Sequence, residues 1–180
     1  MNRRHLLLSL AATLSFSLLA GPALAQKERA TLSSDVAETI ATMRKTEPGI
    51  EKFFKNSVGY VVFPRVGKGG FIFAGGHGDG QLFERGKMVG EASITIVSVG
   101  FTVGAQQFSE IIFFQNQAAI DSFKQGKFEV AANASVVIIK AGVANALDFR
   151  NGAVILVHPR AGAMAEASIG AQKFNYKPGK

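Results

Sequence analysis

Apolar positions recur at helical spacing near the start of this chain and once again past its middle, and elsewhere they come in short runs and alternations. Val36, Ile40 and Met43 share one side of a helix for which Ser34 or Asp35 is the natural N-cap. Glu47-Pro48 ends that helix, and Pro48 suits the first turn of a second, short one with Ile50, Phe53 and Phe54 on one side. From Val58 onward the spacing is that of strands. Val61-Val62-Phe63 is an apolar run closed by Pro64, and Phe71-Ile72-Phe73 follows a glycine-lysine stretch. Gly75–Gly80, with four glycines around His77 and Asp79, reads as a turn between strands. Ser93–Gly104 is the longest strand candidate. Its apolar phase flips between Ile96 and Val97, which predicts a β-bulge there, and Ser98, Gly100, Thr102 and Gly104 give it a face of small residues.

The rest of the chain continues in this style. Ile111–Phe114 is a strand, and Asn116 caps a helix through about Gln125 with Ile120 and Phe123 inward and Gly126 as its stop. Glu129–Ile139 is rich in Ala and Val, Asn151-Gly152 marks a hairpin turn, Ala153–Val157 is a core strand, and Ala161–Tyr176 closes the chain. An internal echo at an offset of 95 sets Val61–Gly67 against Leu156–Gly162. Together these elements predict an α+β fold: a single glycine-rich domain with N-terminal helices, a mainly antiparallel β-sheet or partly closed barrel, and one internal helix.

Residues 1–25 change what counts as the protein. Arg3 and Arg4, the apolar run Leu6–Ala20 and the small-x-small sequence Ala23-Leu24-Ala25 form a signal peptide cut before Gln26. The Arg pair resembles a twin-arginine signal but lies very near the start, so general secretion fits better. The expected organisation is a cleaved signal at 1–25, a flexible N-terminus at 26–34 and one domain at 35–180, in a periplasmic or secreted protein that is peripheral to a membrane if it binds one. With no cysteine in the chain, lipoprotein modification, disulfides and thiolate chemistry are excluded. The signal removes two of the 20 basic residues and none of the 13 acidic ones, leaving 18 against 13, a formal +5. That excess favours an anionic partner but is too small, and too scattered, for nucleic acid.

Chemistry is sparse. The mature chain has two histidines, His77 and His158. It carries no nucleophile elbow, phosphate-loop spacing, zinc-protease motif or calcium loop. We therefore assign no catalytic residue, no cofactor and no metal, and expect a binding module rather than an enzyme.

Motif order adds to this. Tyr60–Pro64, Lys68-Gly69-Gly70-Phe71, Gly75-Gly76 and Gly78-Asp79-Gly80 resemble the opening of the SYLF domain. Ser98-Val99-Gly100 with Val103-Gly104-Ala105, Phe113-Phe114 with Ala118–Phe123, Ala132–Ser135 and Gly162–Gly170 resemble its later signatures. The resemblance spans roughly residues 36–176. The sequence departs from the family pattern at Asn133, at Glu91-Ala92 and at Glu166–Ser168. The resemblance implies a lipid- or membrane-binding module, with eukaryotic members that bind phosphoinositides and in some cases actin filaments. For an exported member it implies attraction to anionic lipid or another envelope surface.

A matching patch can be read from the residues. Lys52-Phe53-Phe54-Lys55 sets two aromatics between two cations, Arg44 and Lys45 lie just upstream, and Arg65 and Lys68 follow the first strand. The competing reading is that Phe53 and Phe54 fill the core while the lysines stay solvated. Three functions stay open: a lipid- or envelope-surface-binding module; a structural or protein–protein module, self-association included; and a small-ligand carrier or enzyme using His77, Asp79 or Asp148.

Overall fold

The computed structural model describes residues 20–70, 73–99, 106–130, 134–138, 143–149, 151–161 and 171–179. The chain divides into a unit at 1–31, helical where described, and a domain at 32–180. Helix α1 (Ala20–Thr46) is followed by a 3-10 turn (Pro48–Ile50) and α2 (Glu51–Asn56). Strands β1 (Gly59–Gly70), β2 (Phe73–Glu84), β3 (Lys87–Val99) and β4 (Gln106–Phe114) come next. Helix α3 (Gln117–Lys124), β5 (Ala134–Ile138), β6 (Ala153–Ala161) and β7 (Ala171–Pro178) complete the domain. Six antiparallel strands in the order β6-β4-β1-β2-β3-β7 carry β5 as a parallel edge beside β6. The sheet is not closed into a barrel, so the α+β expectation stands with an open sheet.

The two helix boundaries that rest on local chemistry lie where the sequence places them. The Asn116 side chain accepts from the Ala119 N–H at 3.0 Å, and Gly126 leaves α3 at φ +68°. The Glu47 carboxylate accepts from the Gly49 N–H at 3.0 Å and opens the 3-10 turn. The start of α1 differs. The helix runs from Ala20 through Ser34 and Asp35, so no cap stands there, and within the domain Leu32, Val36, Thr39, Ile40 and Met43 form its inward stripe.

Three strand expectations are corrected. Gly75–Gly80 is not a turn but the middle of β2. Gly76, Gly78 and Gly80 stand opposite Ile96, Ile94 and Ala92, on one face of the sheet. The register of β3 runs unbroken through Ile96 and Val97 against both neighbours, so no bulge lies there: Ile96 is buried and Val97 is 55% exposed. The phase flip occurs in β1 instead. There the register shifts between Phe63 and Val66 against β4, so that Val61 and Phe63, then Val66, face the same way. Pro64 lacks the N–H a ladder needs and is tolerated at this bulge, so it does not end the strand as expected. Asn151-Gly152 does form a positive-φ turn, but β6 after it pairs with β4 and, in parallel, with β5, so the turn closes no hairpin. Among the described residues a turn that does is Arg85-Gly86, with φ of +50° and +77°, between the partners Glu84 and Lys87. Phe71-Ile72, Gly100–Ala105, Ala132-Asn133 and 162–170 lie outside the described residues.

The sheet is strongly curled. β4 and β7 stand four strand positions apart, about 19 Å in a flat sheet. Yet the Gln172 side chain of β7 donates to Glu110 of β4 at 2.8 Å, and the rings of Phe63 (β1) and Phe174 (β7) are 5.9 Å apart. The inner side of the curl holds Phe63, Val66, Ile94, Ile96, Phe108 and Phe174, with Ile120 and Phe123 of α3 packed against it. The outer side packs Val62, Ile111, Phe113, Val154 and Leu156 against α1 and α2.

Glycine makes the curl possible. A Cβ on Gly78 would lie 2.7 Å from the Arg65 carbonyl oxygen, and one on Gly80 would overlap the Val62 carbonyl and sit 2.6 Å from the Phe63 ring. Gly80→Ala is therefore expected to destabilise the domain by about 2 kcal/mol through overpacking. Gly75→Ala, on the same strand with open space around it, should change stability by less than about 0.5 kcal/mol. Urea denaturation of both variants tests the pair; equal costs would remove the close-approach explanation.

Candidate interaction surface

The eight residues of the sequence-predicted patch do not form one surface. Phe53 is 1% exposed and packs between Phe113 and Phe149 at centroid distances of 5.7 and 5.4 Å. Lys52 donates to the carbonyl oxygens of Asn145 (3.0 Å) and Leu147, with Asp148 at 4.0 Å, so it ties α2 to the following loop layer. Arg65 pairs with Asp35 of α1 at 2.5 Å. Lys68 is the clear correction: it is 3% exposed and faces the inner side of the curl, because the Pro64 bulge turns the strand's phase over. Burial holds its ammonium below the usual lysine range.

Arg44, Lys45, Phe54 and Lys55 remain together on the outer side. The Arg44 guanidinium lies 4.3 Å from the centre of the Phe54 ring and is 2.7 Å from Glu51. Phe54 meets Tyr60 edge-on at 5.0 Å, Tyr60 stacks on its cross-strand partner Phe83 at 5.0 Å, and Phe83 is paired with Met88. The result is a row of half-buried aromatic side chains running across β1 and β2 to Met88 on β3, which is 47% exposed. The type I′ turn at Arg85-Gly86 sets Arg85 at the end of that row, while Lys87, the cross-strand partner of Glu84, lies on the opposite face with it. The Arg85 N–H donates to the Val58 carbonyl at 3.1 Å, which joins the hairpin tip to the segment that follows Lys55.

Charge on this rim is unbalanced. Glu51 is taken by Arg44. Lys45, Lys55 and Arg85 are exposed and make no ion pair among the described residues. Arg85, Tyr60, Phe83 and Met88 escape a sequence reading because cross-strand register, which only the fold supplies, is what sets them beside Phe54.

The residues named for a small-ligand carrier or enzyme do not converge. His77 and Asp79 are neighbours on β2, 3.5 Å apart and largely exposed, while the Asp148 side chain is fully exposed beside Lys52. Among the described residues no group of three or more His, Cys, Asp or Glu could hold a metal ion. No described helix is long and apolar enough to cross a membrane.

Residues 95–176, from the middle of β3 to β7, match the model of the Ysc84 family, described as Las17-binding protein actin regulator, and this supports the assignment of the chain to the SYLF family. No match was found among curated proteins.

The inner side of the curl carries one further polar group of consequence. Glu110 is wholly buried, and burial raises its carboxyl to about 8 against the opposing hydrogen bond from Gln172. The folded state holds this proton where the unfolded chain releases it near 4.5. The associated stability is complete below about 4.5 and is lost as pH rises through about 8. In Glu110→Gln that falling limb should vanish. The difference between variant and wild-type unfolding free energies should then grow by up to about 1.4 kcal/mol per pH unit across the window. Parallel pH profiles for the two proteins would refute it.

Proposed function

We propose that this protein is a non-enzymatic SYLF-type module that acts at an anionic lipid surface of the cell envelope, exported after cleavage before Gln26. The observation that carries the reading is the row Phe54–Tyr60–Phe83–Met88 with Lys45, Lys55 and Arg85 around it. An apolar strip bordered by cations is the arrangement by which a peripheral protein rests on a charged bilayer, with apolar side chains at the headgroup boundary and cations facing the phosphates. Each cation near an anionic surface contributes about 1 kcal/mol at low salt, so the three unpaired ones supply about 3 kcal/mol, an accumulation on the order of a hundredfold.

This places the contact on α1, α2 and the β2–β3 hairpin rather than on Lys52, Phe53 and Lys68, whose side chains serve the fold. Co-sedimentation of residues 26–180 with phosphatidylcholine vesicles, and with vesicles containing phosphatidylglycerol, tests it. Binding is expected only to the anionic vesicles, to fall with salt, and to weaken at least tenfold in Lys45→Glu/Lys55→Glu and about tenfold in Arg85→Glu. Absence of binding, or binding insensitive to salt and to both variants, would sink the lipid reading and leave a protein partner in its place.

A further inference from the structure

Where α1 crosses the sheet it leaves a groove of about 270 Å³ between its own residues and the ends of β4 and β6. The helix wall carries Glu38, Thr39 and Thr42, the first and last one helical turn apart; the sheet wall carries Ser109, His158 and Arg160. The groove is thus acidic on one side and basic on the other, and the two charges are not paired with each other. Arg160 donates through one nitrogen to the Pro64 carbonyl at 3.0 Å, with the Ser109 hydroxyl 3.4 Å away. Ser109 donates to that same carbonyl at 2.7 Å, so the carbonyl exposed by the Pro64 bulge anchors the basic wall. Glu38 makes no ion pair among the described residues and is exposed.

Two buried polar atoms are left over here. Thr39 is 3% exposed and its hydroxyl has no hydrogen-bond partner, and neither has His158 Nδ1. A buried polar atom without a partner costs about 1–3 kcal/mol. Two of them lining one polar groove mark a place where a partner from outside the chain is wanted. Burial and the neighbouring Arg160 hold His158 below the usual histidine range, so at neutral pH it offers hydrogen bonds rather than charge. The formal charge of the walls then sums to zero, which disfavours a polyanion. The volume is that of about nine waters and falls below the usual range for drug-sized ligands.

We propose that this groove binds a small zwitterion of amino-acid size, its carboxylate directed to Arg160 and the Thr39 hydroxyl, its ammonium to Glu38. The site is separate from the aromatic row and stands whether or not the protein binds lipid.

The test is titration of the mature chain with free L-amino acids, L-alanine and L-serine first, followed by amide chemical shifts of α1 and β6. Two masked probes accompany them: N-acetyl-L-alanine, which lacks the ammonium, and L-alanine methyl ester, which lacks the carboxylate. Saturable shifts at Thr39 and His158 with the free amino acids, and affinities at least tenfold weaker for both masked probes, are expected. Glu38→Gln, an exposed change that leaves α1 intact, should lower affinity about tenfold and abolish discrimination against N-acetyl-L-alanine. Thr39→Val should also lower it about tenfold. Equal binding of N-acetyl-L-alanine and free alanine would make the groove a simple anion site and overturn the proposal. So would an absence of saturable shifts with every amino acid tried.

Discussion

The fold depends on a line of missing side chains. Gly76, Gly78 and Gly80 face the inner side of β2, and the neighbouring strand β1 comes closer there than a Cβ would allow. Without that line the three long strands β1, β2 and β3 would stack bulky residues on one face, and the sheet could twist but not fold over. With it, Phe63 reaches Phe174 and Gln172 reaches Glu110 across the intervening strands. The interior of this domain is thus made largely by one sheet bending onto itself, with α3 supplying Ile120 and Phe123 at one end.

A sheet curled over an apolar trough must still choose its register, and β7 is the strand with the least local help. It is an edge strand, held on one side by β3. The Glu110–Gln172 pair penalises the wrong choice. A one-residue slip would send Gln172 to the outer face and leave the Glu110 carboxyl alone among Phe63, Phe108 and Phe174. The group that burial drives to a neutral form therefore discriminates between registers that hydrophobic matching alone would separate poorly, because β7 buries only Gln172 and Phe174.

What the sequence disclosed divides along the same line between local and non-local causes. Asn116 and Gly126 bound α3, and Glu47-Pro48 parts α1 from α2, because caps and stops act within a few residues. The glycines of β2 misled for the same reason. A turn and a tightly folded strand want the same residue, and only the neighbouring strands say which is present. Lys68 went to the wrong face because one bulge, at Pro64, inverts everything after it. The candidate surface was half legible: Arg44, Lys45, Phe54 and Lys55 lie on one short stretch of chain, while Phe83, Arg85 and Met88 join them only through the pairing of β1 with β2 and β2 with β3.

The outer face also sets two different chemical environments beside a single helix. α1 crosses the sheet, held by Ser33 to Gln81 on β2 and by Asp35 to Arg65 on β1, with Val36 and Met43 in the core beneath it. On one side it leaves a narrow groove whose walls carry opposite charge. On the other it stops short of the lower ends of β1, β2 and β3, so that Tyr60, Phe83 and Met88 stay partly uncovered. The physical demands of the two places differ. A narrow groove with buried unpaired atoms rewards a ligand that matches it atom by atom, since an ill-fitting one leaves those atoms unpaired. An aromatic row with a cationic rim rewards any surface with the right charge and an apolar boundary. Neither ingredient suffices alone there: the cations weaken as salt rises, and burying the exposed part of Met88 adds only about 1 kcal/mol. The aromatic packing that fixes the row and the ion pair that consumes Glu51 act in concert to leave a positive, partly apolar face there.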